Sequence, residues 1–138
     1  MILEFLIGQF FLVLFNITNA FIDAYRILKN KTIAHAVNFC AYIITVLIIC
    51  FLLSFRLYEI SLFLISAFFN RQLSFDIPLN LRRCLPWYYQ SQAEPPAAVF
   101  DKIERAIFSK GQFVGKKIVK IYSICYIETF ILWAWTTN

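Results

Sequence analysis

Apolar residues fall in long blocks separated by short polar breaks, a pattern that predicts helices rather than strands. The first block runs from Phe5 to Phe15 and continues through Ile17 to Leu28, interrupted by Asn16, Asn19 and Asp23. About twenty helical residues cross a ~30 Å hydrocarbon layer, so residues 4–28 are expected to span as a helix with one polar stripe. A secretory leader cut near Thr18-Asn19-Ala20 is the competing expectation, but Glu4 stands where such a leader carries basic residues. From Ile33 to Asn70 the chain is again almost wholly apolar and too long for one crossing. A turn at Ser54 to Glu59 divides it into helices over 33–54 and 57–71, the second short enough to be tilted, re-entrant or packed inside a bundle. A single long helix is the alternative, because no Gly or Pro marks that turn.

Residues 72–112 change character. Asp76, Pro78, Asn80, Arg82, Arg83, Pro86, Glu94, Pro95 and Pro96 predict a loop in water or at headgroup level. Within it, Val99, Phe100, Ile103, Ala106 and Ile107 recur at helical spacing between charged residues, which predicts an amphipathic interfacial helix over 97–109. A last apolar helix over 113–136 completes an all-α, polytopic architecture of about four transmembrane or re-entrant helices, with Trp133 and Trp135 expected at the far interface.

Composition agrees with that architecture. The 138 residues are 61% hydrophobic and 15% charged, far from the ~45–50% and ~25% of soluble domains. The formal net charge of +5 is carried beside the apolar blocks, which points to lipid headgroups rather than nucleic acid. With four crossings, every basic residue except Arg56 falls on one side, and the positive-inside tendency puts that side in the cytoplasm and both termini outside, as in a multi-pass inner-membrane protein. The cysteines show no metal-ligand spacing and read as small apolar residues, so no metal or cofactor is expected.

Polar residues in apolar company are the candidate sites, since an unpaired ionisable group at membrane depth costs several kcal/mol. A hairpin about Asn30 brings Asp23 and His35 to similar depth, with Asn19 and Asn38 in neighbouring turns. The pair either fixes the hairpin register or handles a proton or cation. Glu128 lies in the middle of the last apolar run near Tyr122 and Tyr126, as a packing contact or an ion-handling group. Arg56 and Glu59 are spaced to pair at the outer turn. Trp87, Tyr88 and Tyr89 after Pro86 read as an interfacial anchor beside Arg82 and Arg83. No phosphate loop, nucleophile elbow or metalloprotease motif is present.

The run Phe75-Asp76-Ile77-Pro78-Leu79-Asn80-Leu81-Arg82-Arg83-Cys84-Leu85-Pro86-Trp87-Tyr88-Tyr89, followed by Asp101-Lys102, resembles a family of small polytopic membrane proteins from bacteriophages and Bacteroidetes-type hosts, with Arg83 where that family usually has Gly. The family has no established activity, so the resemblance implies a setting rather than a chemistry. The expected function is that of a phage-type membrane protein acting by assembly, as a homo-oligomer with a pore- or holin-like form, or by binding a host membrane protein. Asp76, Asn80, Arg82, Arg83, Trp87 and Tyr88 are then the headgroup or partner loop. A membrane-embedded enzyme or proton-coupled carrier using Asp23, His35 and Glu128 is the alternative. A surface module in which residues 97–109 sense anionic lipid is a third.

Overall fold

The computed structural model describes residues 2–29, 31, 33, 35–89, 102, 106 and 114–136, and among them every regular element is a helix. The elements are α1 (Ile2–Leu28), α2 (His35–Leu52), α3 (Leu57–Arg71), a π-turn (Gln72–Asp76), α4 (Ile77–Arg82) and α5 (Val114–Thr136). Two helices, Ile2–Leu28 and Gly115–Thr136, are long and apolar enough to cross a membrane, and Val37–Leu52 is a shorter apolar helix. The amphipathic helix expected over 97–109 lies outside the described residues apart from Lys102 and Ala106.

The loop expected from residue 72 begins later. From Leu57 to Arg82 the chain stays helical, roughly 38 Å at ~1.5 Å per residue, long enough to match α1 and α5. Pro78 explains the π-turn, because it has no N–H to close onto the Ser74 carbonyl and its ring would clash there. One wider turn relieves the clash without ending the helix.

Contacts fix the helix directions. Phe5 meets Phe63 (ring centroids 5.6 Å apart) while Asn16 meets Ser74, so α1 and α3 run parallel. Asp23 pairs with Asn38 and Gly8 lies against Ile49, so α2 is antiparallel to α1. Phe5 packs on Trp133 and Gln9 meets Tyr126, so α5 is antiparallel as well. The C-terminal ends of α1 and α4 and the start of α5, which carry most of the described basic residues, therefore gather at one end of the bundle.

The core sits toward the other end. Phe5, Leu12, Val46, Phe63 and Trp133 are almost fully buried and packed together. Gly8 makes that approach possible, since a Cβ there would lie 2.8 Å from the Phe63 ring. Trp133, expected as an interfacial anchor, is instead 0% exposed, while Trp135 is 81% exposed. Two residues apart on a helix, the side chains point to nearly opposite faces.

Ser54 makes the turn between α2 and α3. Its φ of 55° is left-handed, Phe55 N–H reaches the Cys50 carbonyl at 3.1 Å, and Ser54 N–H reaches that of Phe51 at 3.1 Å. This is the Schellman ending that usually takes Gly. Glu59 then receives the Arg56 N–H at 2.6 Å, so the expected Arg56–Glu59 contact is made by the backbone of Arg56 as a helix-start cap. Replacing Ser54 by Gly relieves the left-handed strain and is expected to raise stability by about 1 kcal/mol, read as a higher melting temperature in detergent.

Candidate functional site

The most extensive hydrogen-bonded polar feature among the described residues is inside the bundle. Gln9, Asn16 and Asp23 recur every seven residues on α1, a spacing that keeps them on one stripe, and all three are buried. Asn70 Nδ2 donates to Gln9 Oε1 at 2.6 Å, and Tyr126 OH approaches the same oxygen at 3.4 Å. Asn16 Nδ2 donates to Ser74 Oγ at 2.8 Å, and Ser74 Oγ donates to Asn70 at 2.6 Å to the side-chain oxygen and 2.7 Å to the carbonyl. The Tyr42 hydroxyl donates to the Ala67 carbonyl, tying in α2. The π-turn and the residue just before α3 ends thus supply the partners of two α1 carboxamides. Neutral amides and hydroxyls that both donate and accept hold helices in register, and none of them is a general acid or base at neutral pH.

Asp23 closes the series at the basic end. Its Oδ2 accepts from Asn38 Nδ2 at 2.9 Å, and its Oδ1 lies 3.7 Å from Arg26, whose side chain is 41% exposed. His35 opens α2 three residues before Asn38, and its side chain is outside the described atoms. Asn19 points elsewhere, into an open apolar groove of about 510 Å³ between α1 and α2 lined also by Phe11, Phe15 and Ile49. Thr18 and Thr45 flank that groove with hydroxyls turned back onto the Leu14 and Ala41 carbonyls, both at 2.8 Å.

The basic-aromatic segment is a built loop rather than a free one. Asp76 lies 3.6 Å from Arg71, whose guanidinium sits 3.9 Å from the centre of the Phe75 ring. Asn80 is buried and holds the loop by donating to Tyr89 O at 2.9 Å and Trp87 O at 3.4 Å. Cys84 takes the left-handed turn (φ 57°), with Leu85 N–H on the Asn80 carbonyl at 2.9 Å. Arg83 sits just before it at a φ of −89°, where a side chain is tolerated. The Tyr88 carbonyl then presses on Gly115, leaving no room for a Cβ, and Lys116 Nζ lies 4.6 Å from the centre of the Tyr88 ring. Arg82 and Trp87 remain exposed and Arg83 half-buried. Of the six loop candidates, Asp76 and Asn80 are therefore occupied with the fold, and the outward chemistry belongs to Arg82, Arg83, Trp87 and the ring of Tyr88.

Glu128 faces outward from α5. Its neighbour Tyr126 touches Gln9, fourteen residues before Asp23, which is roughly 21 Å along the α1 axis at ~1.5 Å per residue. The geometry keeps Asp23 and Glu128 apart, so the two acids do not share the cavity a carrier or enzyme built on them would need. Cys40, which reads as a small apolar residue in the sequence, is exposed rather than packed in the core, and all four cysteines are free thiols. Among the described residues no three His, Cys, Asp or Glu side chains come together as a metal site. Residue type alone does not mark Gln9, Asn70 and Ser74, although the seven-residue spacing of Gln9, Asn16 and Asp23 is visible in the sequence, and Tyr126, expected beside Glu128, instead reaches Gln9. Compared with known protein families, curated proteins and solved structures, the chain matches none.

Proposed function

We propose that this chain is a small multi-pass integral membrane protein that acts by associating with other helices inside the bilayer. The observation that carries the proposal is inverted polarity. Gln9, Asn16, Asp23, Ser66, Asn70 and Asn80 are buried, whereas Phe10, Phe11 and Phe21 of α1, Ile48 and Phe51 of α2, and Ile127 and Ile131 of α5 are exposed. In water such large apolar faces are left uncovered, while a bilayer covers them and favours a hydrogen-bonded interior. The parallel and antiparallel helix directions support four crossings with both termini on one side. The basic end carrying Arg82, Arg83 and Lys116 is then the cytoplasmic one. Asn16 and Asp23 are shut inside each bundle, so the association does not use them as a pore lining. The proposed partner is a second copy or, in the phage-type setting that the run 75–89 suggests, a host membrane protein.

Two native cysteines test the setting. Cys40 on α2 and Cys84 in the loop are both exposed on the protein surface. A membrane-impermeant maleimide is expected to label Cys84 from the cytoplasmic face of vesicles, while Cys40, covered by lipid, reacts only after detergent is added. Equal labelling of both thiols without detergent, or release of the chain by alkaline carbonate, overturns the membrane assignment.

A further inference from the structure

Helix α5 has two opposite faces. Ile118, Tyr122, Thr129 and Trp133 are buried against the bundle. On the outer side Ile121, Ile124, Glu128, Ile131 and Trp135 are all exposed. Their spacing alternates between three and four residues, which is the first-and-fourth-position stripe of a heptad and the pattern of a helix seam that packs on another helix. Glu128 stands at the centre of this stripe and makes no hydrogen bond or ion pair among the described residues. A carboxyl facing hydrocarbon costs several kcal/mol unless it finds a partner. Among the described residues the bundle offers none on that face.

We infer that the outer seam of α5 is the surface on which a second copy of this chain docks, with the two Glu128 side chains meeting at the symmetry axis. This rests on the reading that the chain associates within a bilayer. Copies in one membrane share one orientation, so a two-fold axis between them runs along the membrane normal and the two α5 helices lie parallel. Each seam position then faces itself. A carboxyl suits such a meeting when protonated, because a carboxylic acid donates through its O–H and accepts through its carbonyl oxygen, so two of them can pair with each other. The flanking isoleucines fit the same geometry, since they supply apolar knobs at Ile121, Ile124 and Ile131 on either side of the one polar contact. A polar group at the central position also fixes the register, as slipping by one turn would leave it against an isoleucine.

The test is subunit counting by single-molecule photobleaching of the purified full chain in liposomes, across a dilution series of protein in lipid. The wild type is expected to pair. Glu128→Gln, which keeps a self-complementary donor and acceptor, is expected to pair with affinity within about threefold of it, and Glu128→Leu to pair about tenfold more weakly. In a background with the four native cysteines replaced, Ile124→Cys and Ile131→Cys are expected to cross-link between copies and Ile127→Cys, off the seam, is not. If the wild type pairs but Glu128→Leu pairs equally well and the seam cysteines do not cross-link, association stands and the α5 seam is refuted. If the wild type stays monomeric at every density, self-association itself fails and Glu128 is left to face a different protein bearing a basic or donor side chain.

Discussion

Trp133→Ala is expected to destabilise the bundle by about 3 kcal/mol, whereas Trp135→Ala, two residues on, changes the stability of the single bundle by less than about 0.5 kcal/mol. Trp133 is the largest fully buried side chain and is boxed by aromatic rings, with Phe5 at 4.6 Å, Phe55 at 4.9 Å and Phe63 at 6.5 Å between centroids. In the bilayer setting proposed above the usual transfer term falls away, because lipid tails are as apolar as the protein core. What remains is lost contact. Removing roughly 140 Å³ of side chain at ~24 cal/mol per Å³ of cavity gives about 3 kcal/mol, reduced by whatever relaxation the neighbouring rings allow. Phe5, Phe55 and Phe63 come from three different parts of the chain, so little relaxation is expected without moving a helix. Denaturation in mixed micelles, followed by an exposure-sensitive fluorophore, measures the difference. A loss of under 1 kcal/mol for Trp133→Ala means that α5 is not packed on α1 and α3 as described.

How much of this was readable in advance follows from what each feature depends on. The four long helical runs depend on block hydrophobicity, and the sequence displays that directly, from Phe5 through Trp135. Their ends depend on local backbone geometry that the residues disguised. Ser54 and Cys84 sit in the left-handed conformation that Gly would have advertised, so the α2–α3 turn was arguable and the end of α4 invisible. The extension through Arg82 was hidden for the opposite reason, because Pro78 reads as a helix breaker until a π-turn absorbs it. Among the site residues, Asp23 and Asn38 were placed in neighbouring turns from chain distance about the hairpin, and they form a direct hydrogen bond. Glu128 stands out in the sequence for its charge, but which face of α5 carries it depends on tertiary packing. Both faces of α5 are apolar, and composition alone cannot say which one the bundle takes. Gln9 and Asn70 do not stand out in the sequence because a single carboxamide in an apolar run is common and becomes informative only with its partner, sixty-one positions away.

That Gln9–Asn70 bond gives the second large effect. Asn70→Leu keeps the approximate size of the side chain but removes the donor to Gln9 Oε1 and the acceptor of Ser74 Oγ, both in buried surroundings. The expected cost is about 2 kcal/mol, toward the upper end for polar contacts between membrane helices, since two groups lose a partner at once. Ser74 retains the Asn70 backbone carbonyl at 2.7 Å, which limits the loss on that side and makes Gln9 the more exposed partner energetically. The decisive comparison is therefore with Gln9→Leu. If the two carboxamides stabilise the bundle chiefly by satisfying each other, the double variant Gln9→Leu with Asn70→Leu is less destabilised than the sum of the single variants by about 1 kcal/mol, because the second substitution removes a group already left without its partner. Additive losses would mean that each amide acts through different neighbours, Gln9 through Tyr126 and Asn70 through Ser74. The same cycle separates register from strength. Two apolar side chains at 9 and 70 pack α1 on α3 without specifying how far one slides past the other, so the double variant is expected to recover stability while broadening the methyl signals of neighbouring Leu12 and Ala67 in solution spectra. The hydrogen-bonded stripe thus sets which turn of α3 meets which turn of α1, and the aromatic core around Trp133 supplies most of the packing that holds them there.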